Sequence, residues 1–226
     1  MLKLISRKMI NKLSIKVALL ALTFSLIPAS HAGVFANEPP TLESSGSVAA
    51  YKDNFIDFAV ENLKTRHGDV TQTRETLREI FSINESERSI SNRRFIELQM
   101  KKYQTESPQK LKERVDVIPM GLKVALFIHL TEWGQNSLLS EYKNPFNLKD
   151  NFGKLIKYET LDNGIRDFHE KISTTREFRT MRKDREQIKE RGKAPVSVDL
   201  VDYFVPDDQR DAVIGLIMDY KLYYLD

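Results

Sequence analysis

The sequence predicts a mostly α fold with a small β element, and three observations carry that expectation. Tyr51, Phe55, Phe58, Ala59, Val60 and Leu63 recur at helical spacing. Leu122, Ala125, Leu126, Ile128 and Leu130 belong to an almost wholly apolar run opened by Pro119, the pattern of a central buried helix. Only Leu155–Thr160 (LIKYET) alternates in the manner of a short strand.

The first residues read as an address. Met1–Lys16 carries Lys3, Arg7, Lys8, Lys12 and Lys16 and no acid, Val17–Ile27 is a short apolar run, and Pro28 breaks it. Ser30-His31-Ala32 supplies small residues for cleavage after Ala32, with Ala36 as the other site. The pattern is that of a secretory signal peptide over 1–32, the alternative being an uncleaved anchor. The chain has no cysteine, which excludes an acylated lipoprotein anchor and any disulfide. Residues 33–48 (GVFANEPPTLESSGSV), rich in Pro, Ser and Gly, are expected to be a flexible lead-in to one domain over 49–226.

Removing the leader changes the charge reading. The whole chain has 35 basic and 32 acidic residues; without the five basic residues of 1–32, 30 stand against 32. The basic balance is therefore partly the leader's and gives no support for nucleic-acid binding. The roughly 190 remaining residues suffice for one domain with a core.

Helices are expected over Ala49–Arg66, then from a cap at Asp69 or Thr71 through Leu77 and Phe81, and over Ser91–Tyr103. Thr105–Arg114 reads as a polar connection, the buried helix follows Pro119, and Asn144–Lys154 reads as loop. Further helices are expected over Asp162–Ile172 and, strongly basic, over Glu177–Arg191. Pro195 interrupts before Val196–Phe204 and Asp207–Leu225, which read as two closing helices.

The most specific stretch is Arg114–Asn147. Arg114-Val115-Asp116-Val117-Ile118-Pro119, the following helix, Trp133-Gly134 and Asn144-x-Phe146 resemble the bacterial Bax-like proteins of the glucosaminidase domain superfamily of peptidoglycan hydrolases. The similarity runs from about Ala49 to Asp226. It includes Lys157-Tyr158-Glu159-Thr160, Phe178-Arg179-Thr180-Met181-Arg182 and the closing Tyr203–Asp226. The resemblance implies a lysozyme-like helical fold, a peptidoglycan glycan strand as partner, a periplasmic location, no cofactor and no metal.

One position departs from the family. Its motif around the catalytic acid is Glu-Ser-x-Trp-Gly-x-Ser, which places the glutamate three residues before Trp133, on Leu130; Asn136 replaces the later serine. Spacing from Ile118-Pro119 and from Asn144 and Phe146 agrees. Glycosidic cleavage needs an acid that protonates the leaving oxygen, and leucine has no proton to give. The loss of general acid catalysis is worth roughly a hundred- to ten-thousand-fold in rate. Glu132 is the substitute candidate, but two residues on is about 200° round an ideal helix, facing away from Leu130 unless the helix ends first. Glu141 and Asp150 are weaker candidates.

Around the acid position, Trp133 is a candidate for stacking on a sugar, against a helix-end core anchor. Tyr158 matches the family's cleft tyrosine, against a surface residue on a short strand. Asn144 and Asn147 are candidates for binding an N-acetyl group, against simple turn chemistry, and Phe146 for packing beneath the cleft. His67, His129 and His169 show no metal-ligand spacing and read as structural. The chain has no glycine-rich phosphate loop and no Gly-x-Ser-x-Gly elbow. The run Arg176–Arg191 reads as a solvated helix face, the other reading being contact with acidic stem peptides or an anionic membrane surface. Three functions stay open: a glycan-binding or regulatory protein that lost its acid, a β-N-acetylglucosaminidase using Glu132, and a helical envelope adaptor.

Overall fold

The computed structural model describes residues 38–115 and 118–226, and within them the chain is mostly α. The expected signal peptide, the first part of the lead-in and Asp116-Val117 lie outside the described residues. No helix among the described residues is long and apolar enough to cross a membrane.

The lead-in is not wholly irregular. Leu42–Ser45 forms a short helix, α1, because Thr41 and Ser44 satisfy each other's backbone amides in a capping box. Ser47 then caps α2, accepting from the Ala50 amide at 3.1 Å.

The two helices expected on either side of Gly68 are one helix, α2, over Val48–Ser82. Asp69 caps nothing there; its carbonyl accepts from the Thr73 hydroxyl at 2.8 Å within the helix. The apparent break is a change of buried face. The first half of α2 buries Tyr51, Phe55, Phe58, Ala59 and Leu63 in the main core. The second half buries Leu77 and Ile80 in a satellite core with Ile96, Tyr103, Leu111 and Val115. Ile96 comes from α3 (Ile90–Lys102), capped by Ser89.

The polar connection after α3 also holds a helix, α4 (Pro108–Arg114), with Pro108 in its first turn and Leu111 fully buried. One buried leucine among Gln, Lys, Glu and Arg leaves little periodicity to read. The central helix α5 (Met120–Thr131) is as expected: every residue from Met120 to Ile128 is buried. It packs on the first half of α2, on α9 (Asp207–Asp219) and on the 3-10 turns Ser197–Tyr203 and Leu222–Leu225.

After α5 come the one-turn α6 (Ser137–Ser140), a loop, α7 (Leu161–Thr174) and α8 (Arg179–Glu190). The expected strand does not form; Lys149 and Leu155 make a single antiparallel bridge. The Ile156 amide bonds Leu148 at 3.0 Å and the Tyr158 amide bonds Tyr142 at 2.8 Å, so the two amides face different stretches of chain. Left-handed backbone at Lys143 and Asn147 bends the opposing segment too sharply for a ladder.

Candidate functional site

The segment bearing the motif begins where α5 ends. Glu132, Trp133 and Gly134 all have left-handed backbone (φ 50°, 59° and 77°), so the chain reverses immediately after Thr131. The helical-phase objection to Glu132 therefore does not apply, because the helix has stopped before it. Glycine is required at 134: besides its φ, an added Cβ would sit 2.5 Å from Phe55 Cε2. The reversal is held by the Thr131 hydroxyl, which accepts from the Gly134 amide at 3.1 Å. Asn136 also holds it, donating its Nδ2 to the Leu130 carbonyl at 2.8 Å and accepting from the Leu138 amide at 3.1 Å to cap α6.

Leu130, where the resemblance led to the expectation of an acid, is half-buried and packs on the main core. Glu132 is exposed on the turn. Trp133 is committed to the protein on several sides. Its ring lies 6.1 Å from Phe55 and 5.3 Å edge-on from Tyr220, with the Lys52 ammonium 5.0 Å from its centroid. Its carbonyl accepts the Tyr51 hydroxyl. This is the core-anchor arrangement, with a shallow cavity of about 410 Å³ opening beside Tyr220 between Asp53, Asp57 and Asp219.

Asn144 does not offer its amide to a ligand. It is fully buried, with Nδ2 donating to the carbonyls of Leu148 and Ile156, each at 2.8 Å, and Oδ1 accepting from the Leu148 amide at 2.8 Å. Its side chain thus stands in for the missing strand pairing. Phe146 is core, stacked on Phe168 with centroids 3.7 Å apart and edge-on to Phe127. Asn147, by contrast, is exposed. Tyr158 is half-buried and donates its hydroxyl to the Asp167 carboxylate; burial, then that carboxylate, raises the phenol well above its ordinary range. Gly164 of α7 lets the loop close down, since a Cβ there would meet the Lys143 carbonyl at 2.3 Å. Of the expected ligand contacts, the exposed Glu132 and Asn147 and the half-buried Tyr158 remain at the surface, and Asn144 and Phe146 build the floor.

A second constellation lies inside. Lys123, the one charged side chain on the apolar α5, is fully buried, and its Nζ lies 2.5 Å from Nδ1 of His67 on α2. Burial pushes Lys123 down to about 7. Burial, then Lys123 and Arg74, push His67 down to about 4. His169 of α7 is buried with Nε2 lacking a hydrogen-bond partner, and is held well below its ordinary range by burial, then by Lys123, His67 and Arg66. Arg66 is itself paired with Asp162 through Nε at 2.7 Å and Nη2 at 2.5 Å, tying α2 to α7. Spacing alone keeps these histidines separate and gives Lys123 no role. The available signal was a lone lysine inside an apolar helix. His129 stays apart, with Nε2 3.0 Å from Gln209 Oε1. Among the described residues no group of three or more His, Cys, Asp or Glu is placed to hold a metal ion.

Comparison of the chain with protein-family models, with curated proteins and with solved structures finds no match.

Proposed function

We propose that this is an exported, periplasmic protein that associates with peptidoglycan through a lysozyme-like helical domain and binds the glycan without ordinary turnover. The observation that carries the reading is Leu130. The place three residues before Trp133, in the last turn of the buried helix, holds an aliphatic side chain packed on the core. The general acid of a glycosidase has to stand there in the family the chain resembles. The exposed Asn147 and the half-buried Tyr158 are the residues left to touch a sugar.

The test uses purified sacculi. The protein is expected to be retained on them and to release no new reducing ends. A protein that washes off intact sacculi refutes the binding role and favours an envelope adaptor.

A second reading has one observation behind it: α5 stops at Thr131, which frees Glu132 from helical phase. An active glucosaminidase would release N-acetylglucosamine-ended fragments, and Glu132→Gln would abolish that release.

A further inference from the structure

On the side formed by α4, the end of α7 and the start of α8, a cavity of about 460 Å³ is lined by Lys110, Arg114, Arg176, Arg179, Arg182 and Lys183. Glu113 is the one acid in its lining. That volume lies in the range of sites for small ligands, about 300–1,000 Å³.

The cationic lining is built into the fold. Arg182 is 4% exposed and spends Nη1 on the Ile172 carbonyl at 2.6 Å and Nη2 on the Thr175 carbonyl at 2.9 Å, closing the end of α7. Arg114 donates Nη1 to the carbonyls of Tyr103 and Gln104 at 2.6 and 2.7 Å, closing the end of α3. Both guanidinium groups are therefore positioned by neutral carbonyls rather than neutralised by carboxylates. Burial, then the nearby charges of Arg114 and Arg185, lower Arg182 to about 10, which leaves it charged at neutral pH. Lys110, Arg176, Arg179 and Lys183 form no ion pair among the described residues. The first turn of α8, which has no side-chain cap, adds its positive end at Arg179. α8 buries Met181, Arg182 and Arg185 on one side, while the exposed Arg179 and Lys183 of its solvated face line the cavity.

Four guanidinium groups and two ammonium groups around one small volume match an anion with several oxygens: Arg114 and Arg182, held by backbone carbonyls, supply fixed positive charge, and the exposed Arg176 and Arg179 supply forks of the kind that pair carboxylates in bidentate fashion. We infer that this cavity binds the carboxylates of a peptidoglycan stem peptide, so that the wall is gripped by its peptide at this cavity and by its glycan elsewhere. The choice of stem peptide rests on the peptidoglycan reading above; the anion site itself rests on the cavity alone.

The experiment titrates the mature chain, at low and at raised salt, with three probes: free stem tetrapeptide, peptide-free glycan oligosaccharide and inorganic pyrophosphate. Arg176→Gln/Arg179→Gln changes two exposed residues of the lining. Arg191→Gln/Lys193→Gln changes two exposed cations outside it. Tetrapeptide binding is expected to weaken roughly tenfold or more in the first variant, to fall with salt, and to hold in the second. Glycan binding is expected to be the same in all three proteins. Equal loss of tetrapeptide binding in both variants, or no binding to the wild type, overturns the site. Pyrophosphate binding tighter than tetrapeptide overturns the stem-peptide assignment in favour of a phosphorylated ligand. Failure of the glycan probe alone sinks glycan recognition while the tetrapeptide result still decides the cavity.

Discussion

The Tyr51 hydroxyl donates to the backbone carbonyl of Trp133, across 82 residues of sequence. The bond joins the first turns of α2 to the left-handed reversal that ends α5. Phe55, one helical turn further along α2, packs against the Trp133 ring and against the space that Gly134 leaves open. Tyr51→Phe is expected to cost about 1 kcal/mol, the net worth of one hydrogen bond. Gly134→Ala adds a Cβ into the Phe55 ring at positive φ and is expected to cost roughly 1–3 kcal/mol. Urea unfolding followed by the emission of Trp133, the only tryptophan, reads both.

The buried Asn144 amide makes three hydrogen bonds to backbone. Asn144→Ala strands the amide of Leu148 and the carbonyl of Ile156, while the Leu148 carbonyl keeps the Ile156 amide, and each buried group left unpaired costs about 1–3 kcal/mol. A loss of at least ~2 kcal/mol is expected, whereas Asn147→Ala, at an exposed position with left-handed backbone, is expected to cost only about 1 kcal/mol, from the strain of alanine at positive φ. The difference in denaturation midpoint between the two variants checks the assignment of one asparagine to structure and the other to the surface.

Lys123 sets a pH dependence of stability. An unfolded lysine holds its proton up to about 10.5, and the folded protein only up to about 7. Between those values the unfolded state binds more protons, so stability rises with pH and is lowest, on this account, at and below pH 7. His67 adds a lower window: its folded value is about 4 against 6.5, so stability falls as pH drops from 6.5 toward 4. Lys123→Met removes the upper window and narrows the lower one, because the Lys123 charge is one of the causes of the His67 shift. The substitution is expected to raise the melting temperature most at and below pH 7, by a stabilisation of ~1–4 kcal/mol, and by progressively less toward pH 10. Melting curves at intervals from pH 5 to 10 test this; a gain that does not shrink with rising pH contradicts it.

Leu130 is half-buried at the end of α5, so a carboxylate placed there reaches the surface more readily than one in the middle of the helix. Leu130→Glu is expected to confer measurable release of reducing ends from sacculi, and Leu130→Gln none, because the amide matches the shape but carries no acid proton. A folded Leu130→Glu protein that binds sacculi and remains inactive contradicts the proposal that Leu130 stands in the place of a general acid.

How much of the fold is legible in the sequence differs from element to element. The strong apolar period of Met120–Thr131 is enough to locate α5, and Pro119 marks its start to the residue. The same kind of period splits α2 at Gly68, because the apolar residues change sides of the helix there while the helix runs on. Leu155–Thr160 alternates like a strand, yet the buried Asn144 side chain takes the Ile156 carbonyl and two left-handed residues bend the facing segment. The basic stretch of α8 is visible as composition, but its cavity is not, since Lys110 and Arg114 come from a helix that hardly registers as one.

By itself the sequence determined a mostly α chain and the place of its buried helix. These are properties of local spacing, which a helix period or a motif records along the chain. Tertiary structure alone decided that Asn144 serves the interior and that Trp133 anchors the helix end rather than a sugar, that Glu132 stands outside the helix on a reversed turn, and that Lys123 meets His67 across 56 residues. A side chain's role depends on what covers it. In this protein the covering groups come from α2, α7 and α9, whose approach to α5 is fixed by burial of a shared core rather than by neighbours in sequence.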